Sequence, residues 1–229
     1  MAKDGVKGRG LVTALASFTL VAPVGLLLAV IGTRSGLLSV EVGYDLLALD
    51  LLWRLSFVGA LAGVIGLILS LRDLRRLWLP GLLGAVVGLA VVGGFVWQKR
   101  QLEAGPVENV STDLVEVPGF GQLRPDRMGG LQPAVGVEAC PGAVPVPTQV
   151  APENAVWALQ EAGFEAGRAG VGRADGSRQT TWFGFRYDVV IRIRPGRTDI
   201  RVAARDGRPH GGEACRLVTA ISALLRPGA

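Results

Sequence analysis

The sequence predicts a membrane protein with an α+β domain, in which three transmembrane helices are followed by a small two-layer sandwich of antiparallel sheet and helices. Hydrophobic residues make up 49% of the 229 residues, which is high for a chain that is soluble throughout. Charge is unevenly distributed, because 30 of the 43 charged side chains follow residue 97. We therefore expect a membrane domain over residues 1–100, a Pro/Gly-rich connecting segment over 101–151 and an extracytoplasmic α+β domain over 152–229.

Three segments are long and apolar enough to cross about 30 Å of hydrocarbon, which takes about 20 residues of helix. They cover residues 11–31, 51–71 and 77–97. The first carries no charge, and Pro23 is expected to bend it. A cleaved signal peptide is the alternative for this segment, since Lys3, Lys7 and Arg9 precede it, although its apolar run is longer than usual for one.

The positions of lysine and arginine around these segments predict their orientation. Six basic residues precede the first segment or join the second to the third: Lys3, Lys7, Arg9, Arg72, Arg75 and Arg76. The loop over residues 34–50 has one arginine and three acids. Lys99 and Arg100 oppose this assignment but are outnumbered. We expect a multi-pass protein of a bacterial inner (cytoplasmic) membrane, with its N-terminus in the cytoplasm and its C-terminal domain in the periplasm.

Small residues recur one helical turn apart in the second and third segments. The pairs are Gly59 with Gly63, Ala62 with Gly66, and Gly84 with Gly88. This spacing allows close helix contact in a bilayer, so we expect it to pack the three helices together; packing on a partner subunit is the alternative. No Asp, Glu, His or Lys lies at mid-membrane depth, where it would mark an ion or proton path. The lipid bilayer is the expected partner, and a channel or pump is not predicted.

The connecting segment, residues 101–151, is rich in proline and glycine and has no lasting apolar period. The sequence predicts an extended, loop-rich connection that lies over the folded domain, with a disordered segment as the alternative. A helix is predicted from Pro152, because apolar residues then recur at helical spacing until Gly163 ends the pattern.

Three alternating segments and a second helix complete the predicted domain. The strands are TTWFGFRY (180–187), DVVIRIR (188–194) and TDIRVAAR (198–205), the last two joined by a turn at Pro195–Gly196. GEACRLVTAISALLR (212–226) has the period of an amphipathic helix. Two helices on one face of this sheet give the two-layer sandwich. The apolar face of the hairpin holds Val189, Ile191, Ile193, Ile200, Val202 and Ala204, and its other face carries arginines.

Arginines of this hairpin and of the last helix form a candidate anion-binding or partner-binding face. They are Arg192, Arg194, Arg201, Arg205 and Arg216. One interpretation is a solvated face with cross-strand ion pairs to Asp188 and Asp199. A second is an anion site, in which arginine forks and the backbone N–H groups of GRPHGG (207–212) hold a phosphate or carboxylate. A third is a docking surface for a protein or for lipid headgroups.

Three motifs after the apolar segments resemble a known family. They are NVSTDLVEVPGF (109–120), FRYDVVIRIR (185–194) and DIRVAARDGRPHGGEACRLV (199–218). In this order, over roughly residues 105–228, the chain resembles the bacterial and plastid family called domain of unknown function 1499. The resemblance implies structural roles for Ser111, Thr112, Asp113, Asp188, Asp199, Gly207 and Gly212. Tyr187, Val202, Ala204, His210 and Ala214 depart from the family pattern. No activity is established for that family, so the resemblance implies a fold and a topology but no reaction.

Cys140 and Cys215 are the only cysteines of the chain. Both lie outside the cytoplasm in the predicted topology, where an even number of cysteines favours a disulfide. A buried free Cys215 with an exposed Cys140 is the alternative. Two distant cysteines and one histidine do not have the spacing of a metal site, so no metal is predicted.

The sequence has no nucleophile elbow, P-loop or dinucleotide fingerprint, so no catalytic residue, cofactor or enzyme activity is predicted. Nucleic acid is not an expected partner, since basic residues exceed acidic ones by only two beyond residue 97. We expect a non-enzymatic membrane protein whose periplasmic domain interacts with another membrane or envelope protein. The alternative is an extracytoplasmic binding module for an anionic ligand, either a phosphate or carboxylate or a lipid headgroup.

Overall fold

The computed structural model describes residues 2–121 and 132–226. The chain divides into two compact units, Met1–Arg100 and Gln101–Ala229, which we call the helical unit and the sheet unit. Residues 122–131 of the predicted connecting segment, and 227–229 at the end of the predicted α+β domain, lie outside the described residues.

The helical unit is built from long apolar helices. These are α1 (Ala2–Phe18), α2 (Val21–Arg34), a π-helix (Glu41–Leu51), α3 (Leu52–Ser70), a 3₁₀ turn (Leu71–Asp73) and α4 (Leu74–Ala104). Together they supply three helical stretches long and apolar enough to cross a membrane: Gly10–Arg34, Glu41–Asp73 and Arg75–Ala104. The three apolar helices that the sequence predicts are therefore present, each longer than expected.

The first stretch is interrupted between α1 and α2, where residues 19 and 20 form a turn. Pro23 lies in the first turn of α2, a position in which its missing N–H costs no helical hydrogen bond. The Thr19 hydroxyl donates to the carbonyl oxygen of Ala16 at 2.7 Å. The expected bend is thus a break one turn before the proline.

The prediction of a loop over residues 34–50 is wrong for most of its length, because a π-helix begins at Glu41. In the structure Tyr44 and Ala48 are buried on one side of this helix, while Asp50 pairs with the exposed Arg54 at 2.6 Å. Acids and apolar residues therefore share one helix, which a count of charges does not reveal.

The small residues of the second and third stretches pack the helices on one another, as their spacing predicts. A Cβ added to Gly63 would lie 2.5 Å from the carbonyl oxygen of Gly84. One added to Gly88 would lie 2.8 Å from the Cα of Ala60. These backbones approach too closely for any side chain, which is how helices gain dispersion contacts in lipid.

The sheet unit is an antiparallel five-stranded sheet with helices on one face. Its elements are β1 (Asn109–Ser111), α5 (Pro152–Glu161), β2 (Glu165–Gly170), β3 (Arg173–Gln179), β4 (Arg186–Arg194), β5 (Arg197–Ala204) and α6 (Glu213–Leu225). The strand order is β1-β5-β4-β3-β2. Helix α5 packs on β2 and β3, α6 packs on β5 and β1, and the two helices contact each other.

Strand prediction is correct for the central hairpin and wrong around it. Residues 180–185 of TTWFGFRY form the turn between β3 and β4 rather than a strand, with Phe183 at a φ of 49°. Strands β2 and β3 were not predicted, because EAGRAG and RADGSRQ consist mainly of residues with low strand propensity. Strand β1 lies inside the segment that was expected to be irregular.

The two faces of the β4–β5 hairpin are those that the alternation predicts. Val189 pairs with Val202 and Ile191 with Ile200, and this apolar face is buried. The opposite face is covered rather than solvated, which corrects one part of the first interpretation, while the cross-strand pair of Arg192 with Asp199 that it expects is present at 3.2 Å. Residues 112–121, which we call the cover segment, lie over it, and Phe120 packs with Val190 and Ala203 in a buried cluster.

Candidate functional site

Arginine side chains hold the cover segment by its backbone carbonyl groups. Arg192 donates to Glu116 O at 2.7 Å, Arg201 to Pro118 O at 3.0 Å, and Arg173 to Gly119 O and Phe120 O at 2.8 Å each. An irregular segment has no strand partner for these carbonyls, and the buried residues Pro118 and Phe120 require donors for theirs. The arginine face therefore binds part of its own chain.

The start of the cover segment is fixed by the end of β1. The Thr112 N–H donates to Ile200 O, and the Ile200 N–H donates to the Thr112 hydroxyl, both at 2.9 Å. Asp113 Oδ1 then accepts the N–H groups of Val115 and Glu116. This turn leaves Asp113 Oδ2 directed at the arginines of β4.

Three arginines and three carboxylates form an ion-pair cluster at this point, which we call the arginine cluster. Its members are Arg192, Arg194, Arg197, Asp113, Asp199 and Glu116. Asp113 Oδ2 lies 2.9 Å from both Arg192 and Arg194. Asp199 Oδ2 lies 3.2 Å and 2.6 Å from the same two guanidinium groups. The positive and negative charges of the cluster balance.

Burial separates the carboxylates of the arginine cluster into two kinds. Asp113 and Asp199 are 7% and 0% exposed, whereas the Glu116 side chain is 65% exposed. Burial raises the pKa of the Asp113 carboxyl, but the backbone N–H groups of Glu116 and Val115 outweigh it, and the pKa lies below its ordinary value. Asp113 is therefore charged at neutral pH and anchors the arginines.

The remaining predicted arginines do not join this cluster. Arg201 stacks on the Phe120 ring at 4.4 Å and donates to Asn109 Oδ1 at 3.0 Å. Arg205 forms a bidentate pair with the buried Asp188 at 2.9 Å and 2.8 Å. Arg216 is exposed on α6 and pairs with Glu213. The five predicted arginines thus occupy four separate environments rather than one concave site.

The Asp188–Arg205 pair is a structural contact in which the carboxylate is fully buried. Burial raises the pKa of the Asp188 carboxyl above its ordinary value, and the hydrogen bond from Arg205 opposes this only in part. A fork of two parallel bonds fixes both side chains in one orientation.

A carboxylate of the chain itself occupies the N-terminus of α6. Glu108 is buried, and its oxygens accept the N–H groups of His210, Gly212, Glu213 and Ala214 at 2.8–3.2 Å. A helix N-terminus favours negative charge through these unpaired N–H groups. The N–H groups of His210 and Gly212 in the GRPHGG loop thus hold a carboxylate, but this carboxylate is Glu108 of the chain itself and lies away from the arginine cluster.

Tyr187 and His210 continue the network around Glu108. The Tyr187 hydroxyl lies 3.3 Å from Glu108 Oε2 and 2.6 Å from His210 Nδ1, while His210 Nε2 lies 3.0 Å from Asp206. Burial, with the charge of Glu108, raises the pKa of the Tyr187 hydroxyl far above its ordinary value. The hydroxyl therefore stays protonated and buried, and it holds the loop before α6.

The other predicted positions have structural surroundings. Cys140 and Cys215 form a disulfide with an S–S distance of 2.03 Å, which ties the segment before α5 to α6. Gly212 has a φ of 77°, and an added Cβ would lie 2.9 Å from Pro106 Cδ, while Gly207 is exposed in the loop. Among the described residues, no group of three His, Cys, Asp or Glu side chains could hold a metal ion.

An apolar surface lies on the outside of the cover segment and was not predicted. Leu114 and Val115 are 52% and 95% exposed, and Val137 is 54% exposed. Beside them is an open recess of about 190 Å³, lined by Thr112, Leu114, Gly136, Val137, Ala143, Val144 and Pro145. We call this the apolar surface of the cover. It adjoins Glu116 along the chain, so exposed apolar and acidic groups stand next to each other.

Comparison of the chain with protein-family models, curated proteins and solved structures found no match.

Proposed function

We propose that this chain is a non-catalytic membrane protein of the bacterial envelope whose sheet unit binds another envelope protein. The three apolar helical stretches act as the membrane anchor, and the sheet unit lies in the periplasm. Binding takes place at the apolar surface of the cover, and the polar groups beneath it maintain the shape of that surface rather than perform a reaction.

The proposed membrane orientation rests on charge and on the disulfide. Six lysines and arginines flank the first stretch or connect the second to the third, and such residues favour the cytoplasmic side. The Cys140–Cys215 disulfide belongs to the sheet unit, and disulfides persist in oxidising compartments. The charge distribution and the disulfide both favour a cytoplasmic N-terminus and a periplasmic sheet unit.

Reporter fusions test this orientation in living bacteria. Alkaline phosphatase, which is active only where its disulfides form, should be active when fused at the C-terminus. The same enzyme fused after Asp73, between the second and third stretches, should be inactive. Activity only in the second fusion would reverse the orientation and place the sheet unit in the cytoplasm.

The exposure of Val115 is the observation that carries the binding proposal. Its side chain is 95% exposed, yet the backbone on both sides of it is held by hydrogen bonds to Asp113 and Arg192. Covering a rigidly held apolar group by a partner stabilises the complex by about 25 cal/mol per Å² of apolar area buried. A group that is already held rigidly also loses little conformational entropy on binding. Contiguous exposed apolar groups of this kind mark protein contact sites.

Two matched substitutions test whether this surface binds a partner. Val115→Asp and Val171→Asp each place a charge at an exposed valine, the second in the turn between β2 and β3. After crosslinking and mild detergent extraction, the wild type and Val171→Asp should retain one protein in stoichiometric amount, and Val115→Asp should lose it. A chain recovered alone in all three cases, or a partner retained by Val115→Asp, would rule out this role.

A further inference from the structure

The side-chain carboxylate and the backbone carbonyl of Glu116 are bound by different arginine atoms. Its side chain makes one close contact, from Arg194 Nη1 to Oε2 at 2.6 Å, and a longer one of 3.9 Å to Arg192 Nη1. Its backbone carbonyl is bound separately, by Arg192 Nη2 at 2.7 Å. The carboxylate can therefore leave the arginines while the cover segment stays in place.

Departure of the Glu116 carboxylate would leave a charge imbalance. Three guanidinium groups would then face the two buried carboxylates of Asp113 and Asp199. Both aspartates already contact arginines through Oδ2, so they cannot compensate further. Arg194 Nη1 would lose its 2.6 Å contact and Arg192 Nη1 its 3.9 Å contact, and arginine groups of this kind suit a second carboxylate.

We propose that Arg192 and Arg194 form a carboxylate-binding site that Glu116 fills in the free protein and that a carboxylate of the partner fills in the complex. The partner segment carries an acidic residue beside apolar ones, because the site adjoins Leu114 and Val115. This inference rests on the proposed function and specifies the chemistry of the partner. Exchange of one carboxylate for another keeps the charges of the cluster balanced in both states.

A peptide with the sequence of residues 114–117 serves as the probe. It is acetyl-Leu-Val-Glu-Val-amide, with acetyl-Leu-Val-Gln-Val-amide as the neutral control, titrated into the full chain in detergent. Glu116→Gln should bind the acidic peptide about tenfold more tightly than the wild type does, because an internal competitor at high effective concentration is gone. Adding Arg194→Gln should abolish this gain, and the neutral peptide should show none.

Other outcomes would overturn the inference. Equal affinity of the wild type and Glu116→Gln for the acidic peptide would mean that Glu116 does not compete. Equal binding of the neutral peptide would mean that no carboxylate is recognised, and inorganic phosphate binding as tightly as the peptide would indicate a general anion site. Glu116→Ala should reproduce the gain, which guards against an effect peculiar to the glutamine side chain.

This experiment is independent of the Val115 comparison. If Val115→Asp loses the partner but Glu116→Gln gains no peptide affinity, the surface binds a protein without using the carboxylate site. If the peptide affinity rises but no partner is retained by the wild type, the carboxylate site exists and the proposed function is wrong.

Discussion

Replacing Glu108 with alanine is expected to lower the free energy of unfolding of the sheet unit by about 4 kcal/mol, because several buried N–H groups lose their acceptor at once. The carboxylate of Glu108 accepts four backbone N–H groups before and within the first turn of α6. An ordinary helix cap satisfies fewer groups and contributes about 1 kcal/mol. The Tyr187 hydroxyl also loses one of its contacts.

Urea unfolding of the full chain, with hydrogen exchange at the amides of Gly212 and Ala214, measures this loss. Glu138→Ala is the matched control, since Glu138 is an exposed acid of the same unit and such substitutions usually stay within about 0.5 kcal/mol. Protection of the two amides should fall in Glu108→Ala and be unchanged in the control. Unchanged protection in both variants would show that Glu108 does not cap α6.

Asp113→Asn is expected to destabilise the sheet unit by about 3 kcal/mol at pH 7, since it removes one partner of a largely buried ion-pair group. Asp113 Oδ2 contacts Arg192 and Arg194 at 2.9 Å each. The substitution leaves these guanidinium groups with Asp199 and Glu116 as their acids. Glu116→Gln, at the exposed carboxylate of the same cluster, should cost no more than about 1 kcal/mol.

The cost of Asp113→Asn should depend on pH in a definite direction. The folded pKa of Asp113 lies below its unfolded value, so its stabilising effect is complete above about pH 4 and is lost as the pH falls through the folded pKa. The difference in unfolding free energy between wild type and variant should therefore shrink below about pH 4. A cost that is constant from neutral to acidic pH would contradict the assignment.

The folded pKa of Asp188 is shifted in the opposite direction to that of Asp113. The pH dependence that is due to Asp113 is therefore measured as the difference in unfolding free energy between the wild type and the variant. Its folded pKa is raised, so its contribution to stability is complete below its unfolded value and is lost as the pH rises through the folded pKa. In the wild type alone the two aspartates partly offset each other. The effect of Asp188 is the same in the wild type and in Asp113→Asn, so it cancels in the difference. That difference therefore reports the titration of Asp113 alone.

Two carboxylates of the chain occupy places where the sequence suggested an external anion. Glu108 fills the helix N-terminus beside GRPHGG, and Glu116 completes the arginine cluster. They differ in burial, because Glu108 is enclosed and the Glu116 side chain is mostly exposed. The first is suited to a permanent structural role and the second to exchange with another carboxylate.

Neither acid could be assigned from the sequence. Glu108 lies 106 residues before Ala214, whose N–H it accepts, and Glu116 lies 78 residues before Arg194. Both stand in a segment without apolar periodicity, so no local pattern indicates which acid reaches which donor. Arg197 and Arg173 were missed for the same reason, because alternation assigns a face to a residue but not a partner.

The sequence by itself determined the features that depend on local spacing. Runs of apolar residues as long as a bilayer is thick predicted three long helices, and period-two alternation around Pro195–Gly196 predicted the central hairpin and its two faces. These patterns are repeated over many residues, so single exceptions do not remove them.

Only the tertiary structure decided what lies on the arginine face. The cover segment and the ion pairs depend on contacts between residues distant in sequence, such as Arg192 and Asp113, which are 79 residues apart. A charged face in water and a charged face paired beneath a loop have the same alternation. They differ in which acids and carbonyl groups the fold brings to the arginines, and burial then makes those contacts obligatory.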